Sequence, residues 1–225
     1  MQLPSEVPVM ILANATLFPQ ALLPLYIFEP RYRRMLADSL ASHRMFAVAM
    51  QRPNATREQP EPIAGLGLVR VSVEHGDSTS HLILQGIARI QLREAVRYKP
   101  YRKHRVELMN TPLADSAAVE LLVARLRQLL QQRAELGLPF PFPVTPAPDS
   151  KATKPSGISP KDVLKYLEDI RDPEQLVDLV SCAVLPDALE RQCILETASL
   201  ESRLRQLIKY VTLDIRRCSR KSDAD

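Results

Sequence analysis

The sequence predicts an α+β fold, a β-rich first half followed by a helical second half. Three observations carry this. Short apolar runs separated by turn residues fill positions 7 to 109. From position 114 onward, apolar residues recur at helical spacing. Ser159-Pro160 and Asp172-Pro173 each place a capping side chain before a proline, which is how helices start.

In the first half, Val7 to Leu12 and Leu22 to Phe28 read as strands. Pro8 and Pro24 suit strand edges or starts, because proline removes a ladder donor. Pro30 opens a helix with Tyr32, Met35, Leu36 and Leu40 on one face and Arg31, Arg33, Arg34 and Asp38 on the other. Met45 to Met50 returns to strand, and the polar, proline-bearing stretch Gln51 to Pro62 is a loop. Ile63 to Val73 alternates in part, through Leu66, Leu68, Val69, Val71 and Val73. Gly65 and Gly67 within it suggest a bulge or close packing. Glu74 to Ser78 is turn chemistry. His81 to Leu92 is a strand with a bend at Gly86, and Arg102 to Met109 is the last strand. Several strands at short spacing with glycine bends indicate a small barrel rather than a parallel sheet.

In the second half, Ala114 to Leu136 carries Ala118, Leu122, Leu126 and Leu129 on one face, widened by Leu121 and Leu130. Gly137 is its stop. Leu138 to Pro160 holds seven prolines and breaks all periodicity, so it reads as an insert. Helices restart at Pro160 and at Pro173, where Gln175 is placed for a capping box. Pro186 separates the next helix, Leu189 to Glu196. Ser199 to Arg217 closes the chain with Leu200, Leu204, Leu207, Ile208, Val211 and Ile215 as an apolar stripe. The expected division is a β-rich lobe at 1–112 and a helical lobe at 113–225, with the insert at 138–160.

Composition narrows the function classes. The 225 residues are 45% hydrophobic, enough for a core without disulfide staples. The net charge of +4 comes with ample acid, whereas a dedicated nucleic-acid binder shows a denser basic patch. Cys182, Cys193 and Cys218 form no Cys-x-x-Cys pair, which argues against a disulfide framework and a zinc site and for a reducing cytoplasm. No signal peptide and no apolar run of about 18 residues is present, so no membrane partner is expected.

Four stretches carry a resemblance: Leu17-Phe18-Pro19 through Phe28-Glu29-Pro30-Arg31-Tyr32, Gly65-Leu66-Gly67, Leu84-Gln85-Gly86-Ile87-Ala88-Arg89-Ile90, and Asp178 through Leu204. Together they resemble the substrate-binding N-terminal domain of the Lon proteases, most closely the single-domain bacterial members. The resemblance implies a PUA-like β pseudo-barrel followed by an α-helical bundle. It also implies non-catalytic recognition of polypeptides. The turn at Gly76-Asp77-Ser78-Thr79-Ser80 matches the family only roughly, and the insert does not carry over from it. No Gly-x-x-x-x-Gly-Lys-Ser/Thr phosphate loop occurs, so no ATPase role transfers to any residue.

Candidate sites follow. Phe28, Glu29, Pro30, Arg31 and Tyr32 read as a structural corner, with Glu29 at the positive end of the helix dipole and Arg31 within reach of it. His43, His75, His81 and His104 have no metal-type spacing, and no nucleophile elbow is present. No catalytic, metal or cofactor residue is therefore assigned. Phe140 and Phe142 are candidate protein-binding residues, in a loop where they can also pack as a strap. Tyr98, Lys99, Tyr101, Arg102, Lys103 and Arg105 form a basic, Tyr-interleaved segment that a nucleic-acid surface would use, although a solvated strand looks the same. The expected activity is binding of unfolded or damaged polypeptide in an apolar groove, with strand addition at a barrel edge. The expected partner is an ATP-dependent protease or chaperone. RNA binding through Tyr98 to Arg105 is the alternative.

Overall fold

The computed structural model describes residues 3–55, 57–138 and 160–222, with side chains at 3–55, 57–138 and 163–217. The chain divides into two compact units, 1–110 with 191–196, and 111–190 with 197–225. Six strands lie in the first: β1 (Glu6–Leu12), β2 (Leu22–Ile27), β3 (Met45–Met50), β4 (Ile63–Glu74), β5 (Ser80–Arg97) and β6 (Arg102–Leu108). Helix α1 (Pro30–Leu40) joins β2 to β3. The remaining helices are α2 (Ser116–Glu135), α3 (Pro160–Asp169), α4 (Pro173–Val184), α5 (Ala188–Glu196) and α6 (Leu200–Ser222).

The strands order as β2-β5-β4-β3-β1-β6, and β6 also pairs with β5. That second pairing closes the sheet into the expected pseudo-barrel. β5 makes closure possible by serving two neighbours along its length. Ser80 to Gln85 pairs with β2, and Ile90 to Arg97 pairs with β6. This dual role carries β5 five residues past its expected end at Leu92. All pairings are antiparallel except β1 with β3, which the β2-α1 crossover makes parallel. β1 is therefore an interior strand. Pro8 is tolerated because it lies before Val9, where pairing with β3 begins. Pro24 sits on the edge strand β2, as expected.

One core cluster lies between α1 and the sheet and includes Met10, Leu17, Tyr32, Met35, Leu36, Phe46 and Leu84. A second, including Val7, Val9, Ala47, Leu66 and Ile90, fills the other side. The segment between β1 and β2 crosses the sheet at two glycines. A Cβ on Gly65 would overlap the Leu17 carbonyl, and one on Gly86 would overlap the Phe18 carbonyl. Leu17 and Phe18 are fully buried there, and Gly86 exchanges backbone bonds with Gln20 and Ala21 at 2.9 Å each. Close backbone approach, and not only a bend, is what these glycines serve. Arg89, buried on β5, donates to the Leu195 carbonyl at 3.2 Å. A cation at a helix C-terminus is favoured by the dipole. Gln192 donates to the Ile63 carbonyl at 2.9 Å, and Arg191 donates to the Asn14 carbonyl at 3.2 Å. These bonds fix residues 191–196 in the first unit.

In the second unit, α6 packs on α2 and α4. Asp115 caps α2 through the Ala117 N–H, and Gly137 ends it at φ +67°. The buried stripe of α2 is Val119, Leu126, Leu129, Leu130 and Arg133, and Leu121 is 74% exposed. Leu121 lies on the opposite side of the helix from Val119, two residues away, and Arg133 at the end of the stripe faces Asp214 of α6 at 3.1 Å. Asp172 caps α4 through the Glu174 N–H rather than that of Gln175. Ser159 lies outside the described residues. Asp178 of α4 and Arg203 of α6, both buried, form an ion pair.

Two pairs of variants test these constraints. Gly86→Val should cost roughly 2–3 kcal/mol in chemical denaturation through overpacking, whereas Gly76→Ala, with open space around it, should be near neutral. Asp178→Ala should cost about 3–5 kcal/mol by removing the carboxylate that pairs with the buried Arg203 charge, and the Asp178→Leu, Arg203→Met double variant should recover most of that loss.

Candidate functional site

Helix α1 begins at the proline that marks it. Glu29 occupies the N-cap position in an extended conformation, but its side chain makes no capping bond. It accepts instead from Arg31 Nε at 3.0 Å. The two terminal nitrogens of Arg31 donate to the two carboxylate oxygens of Glu58, at 2.7 and 2.9 Å. This bidentate fork ties the helix start to the β3–β4 loop. The bond with Glu58 raises the Arg31 pKa further above arginine's ordinary value. Tyr32 turns inward, where its hydroxyl accepts from the Ile11 N–H and donates to the Ile11 carbonyl, both at 3.2 Å. Burial raises its pKa and keeps the phenol neutral. Phe28 alone of the motif's large side chains points to water, 59% exposed. The corner is thus structural at Glu29, Arg31 and Tyr32, and presents an apolar ring at Phe28.

The basic segment comes to the same place. A cleft of about 240 Å³ is lined by Arg31, Tyr32, Glu58, Tyr98, Lys99 and Arg102, among others. Tyr98 is 63% exposed, with the Arg102 guanidinium carbon 5.2 Å from its ring centroid. Arg102 also donates to the Glu58 carbonyl at 2.5 Å. Tyr101 is buried, and its hydroxyl donates to Asp38 at 2.7 Å. Lys103 pairs with Glu6 at 3.1 Å, and Arg105 pairs with Glu94 at 2.8 Å. Lys99 has no ion-pair partner among the described residues. Acidic neighbours therefore offset much of the positive charge that the composition of this segment suggests. A second cleft, of about 460 Å³, is lined by Glu6, Asp38, His43, Arg97, Tyr101 and Lys103. Burial lowers the His43 pKa, and the Lys103 charge lowers it further.

A different surface is strongly apolar. In β2, Leu23, Leu25 and Ile27 pack on the core, while Leu22 and Tyr26 are 58% and 49% exposed. The register sets Pro24 opposite Ile83 and Tyr26 opposite His81. In β4, Val71 sits opposite Ile83 and Val73 opposite His81. Val71, Val73 and Ile83 are all exposed. Tyr26 stacks on Phe28 at 5.7 Å and on His81 at 4.7 Å, and His75 meets His81 edge-on at 4.9 Å. Three adjacent strands thus present an apolar and aromatic face to solvent. Among the described residues, no group of three or more His, Cys, Asp and Glu side chains could hold a metal ion. Nor is any described helix long and apolar enough to cross a membrane.

The family model of the substrate-binding domain of ATP-dependent protease La (Lon) matches residues 6–212. The chain belongs to the Lon substrate-binding domain family. Lon protease of Dictyoglomus thermophilum is 25% identical to it over 216 residues, which are 95% of this chain and 25% of that protein. Lon protease of Desulfovibrio desulfuricans is 28% identical over 90% of this chain and 21% of its own length. The chain thus spans about a quarter of the curated relatives it matches. The fold agrees with the N-terminal domain of Mycobacterium avium complex Lon protease, at TM-score 0.68 and 17% identity, covering 92% of this chain and 98% of that one. It also agrees with a Lon N-terminal domain protein from Xanthomonas campestris, at TM-score 0.60 and 17% identity, covering 92% and 99%.

The site residues expected from sequence fare differently within this family fold. Arg31 and Tyr32 of the corner and Tyr98, Lys99, Tyr101 and Arg102 of the basic segment line one cleft, Lys103 lines another, and Phe140 and Phe142 lie outside the described residues. Sequence reasoning missed Glu58, which sits in a loop with no periodic signal. It placed Val71 and Val73 in a partly alternating strand without assigning them to the surface, and it did not single out Ile83. One signal for the apolar face was present. Leu22 to Phe28 is apolar at every position, so whichever side faces the core, the other must be covered or exposed.

The hydrogen bond from Tyr101 holds the Asp38 carboxyl below the ordinary aspartate value. A depressed folded-state pKa stabilises above the unfolded pKa of about 3.9 and is lost as pH falls through the folded value. Tyr101→Phe should raise the Asp38 pKa toward ordinary and flatten the acid limb of the stability curve, as read by carboxyl NMR and acid denaturation.

Proposed function

We propose that this chain binds unfolded or damaged polypeptide segments without catalysis, through the apolar face of Leu22, Tyr26, Phe28, Val71, Val73 and Ile83. The observation that supports this is the exposure of that face on three adjacent strands. Polypeptides that have lost their fold expose such side chains themselves. Covering one exposed ring or branched chain contributes on the order of 1–2 kcal/mol. Contacts of this size are individually weak and additive, which suits a surface that accepts many sequences. Membership in a substrate-binding family of proteases agrees with the reading. In the proposed role, the domain delivers captured segments to an ATP-dependent protease or chaperone in the cytoplasm.

The test is affinity for a permanently unfolded reporter protein. Val73→Ser with Ile83→Ser should weaken it about tenfold or more, while the surface location keeps stability within about 0.5 kcal/mol. Unchanged affinity would remove the apolar face as the site. Steeply salt-dependent RNA binding, lost on neutralising Lys99, Arg102 and Lys103, would overturn the reading in favour of the basic segment.

A further inference from the structure

The apolar face ends at a strand edge that is unpaired among the described residues, and the backbone there is selective. Among the described residues, β2 closes the strand order with β5 as its sole neighbour. Its parity follows from the bonds at its start. Gly86 N–H donates to the Ala21 carbonyl at 2.9 Å, so Ala21 points its polar groups at β5. Backbone direction alternates along a strand. Leu23, Leu25 and Ile27 therefore also face β5, and Leu22, Pro24 and Tyr26 face outward. Proline agrees with this parity, since the outward position is the one that asks nothing of a ladder donor. Among the described residues, no hydrogen bond from outside the β2–β5 ladder reaches the Leu22 or Tyr26 backbone. The outward residues are also those whose side chains belong to the apolar face.

Resting on the polypeptide-binding reading above, we propose that the outer edge of β2 takes the client as an added strand. The N–H and carbonyl groups of Leu22 and Tyr26 bond its backbone, and its alternate side chains extend the apolar face beside Leu22, Tyr26 and Ile83. The client class is thus an extended segment with apolar residues at every second position, rather than an amphipathic helix. Main-chain bonds supply affinity that does not depend on sequence, and the apolar face supplies the preference for alternation. Pro24 sets the limit. It removes the central outward donor, so a client strand loses one bond. A second copy of this chain, paired antiparallel about Pro24, would set one proline against the other and lose both central bonds. The edge is thereby guarded against its own kind more strongly than against a client.

The probe is a synthetic nine-residue peptide alternating Val with Thr, compared with a peptide of the same composition arranged at helical spacing. The alternating peptide should bind about tenfold more tightly. Pro24→Val restores the central donor, so it should tighten binding about threefold to tenfold and raise self-association at high concentration. Amide hydrogen exchange gives an independent reading. On peptide binding, the Leu22 and Tyr26 amides should gain protection, while those of Leu23, Leu25 and Ile27, already in the ladder, should change little. Three results would overturn the proposal. One is equal binding of the two peptides. Another is binding without protection at Leu22 and Tyr26. The third is a wild-type dimer that Leu22→Pro dissolves, which would assign the edge to a second copy. Loss of reporter binding in the Val73→Ser, Ile83→Ser variant alongside an unresponsive β2 edge would sink strand addition while leaving the apolar face in place. If no variant and no peptide has any effect, the binding reading itself fails.

Discussion

The close approach of the Leu17–Phe18 backbone to Gly65 and Gly86 is the constraint on which the rest of the β unit depends. No side chain larger than hydrogen fits beneath either carbonyl. With both glycines in place, the connection from β1 lies flat on the sheet and delivers β2 to the outer side of β5. Leu17 and Phe18 then fill the core beneath it. Three widely separated motifs, Leu17-Phe18-Pro19, Gly65-Leu66-Gly67 and Leu84-Gln85-Gly86, turn out to be one contact. Their joint presence reflects a single steric requirement rather than three.

That contact has consequences at both ends of β5. Toward Ser80, it holds β2 as an edge strand with Leu22, Tyr26 and Phe28 facing water. Toward Arg97, β5 is released to pair with β6 and close the barrel. The buried Arg89 lies between and bonds the last turn of α5. One long strand therefore sets the exposed face, the closure and the seat of a distant helix. The face stays apolar at a cost in solubility, and guards at its margin reduce that cost. Pro24 blunts the edge, and the exposed residues Arg70, Glu74 and Asp77 flank the β4–β5 hairpin.

Much of the fold was legible in the sequence because its signals are local. The starts at Pro30 and Pro173 depend on a fixed φ and a missing donor, both properties of one residue. Met45 to Met50 was legible as a strand from its apolar run and flanking turns. Where reading failed, the cause was a partner elsewhere in the chain. Leu121 sits at an apolar position but is exposed, because the side of α2 that packs on α6 runs through Val119, Leu126, Leu129, Leu130 and Arg133 instead. The strand at His81 runs past Leu92 because β6 is there to pair with it. The candidate site shows the same division. The Phe28 to Tyr32 corner could be recognised as a junction, but its tie to Glu58 could not, since Glu58 lies in an irregular loop.

By itself, the sequence determined the kind and order of the elements, the family, and the absence of a phosphate-loop motif. Periodicity, proline starts and glycine spacing act over a few residues and survive without a partner. Only the tertiary structure decided which of two apolar sides of β2 is covered, that the basic segment is offset by Glu6, Glu58 and Glu94, and that Leu22, Pro24 and Tyr26 turn their backbone outward. The physical reason is that burial, charge pairing and edge exposure are relations between distant segments. A strand apolar on both sides carries no local mark of which side the rest of the chain will leave open.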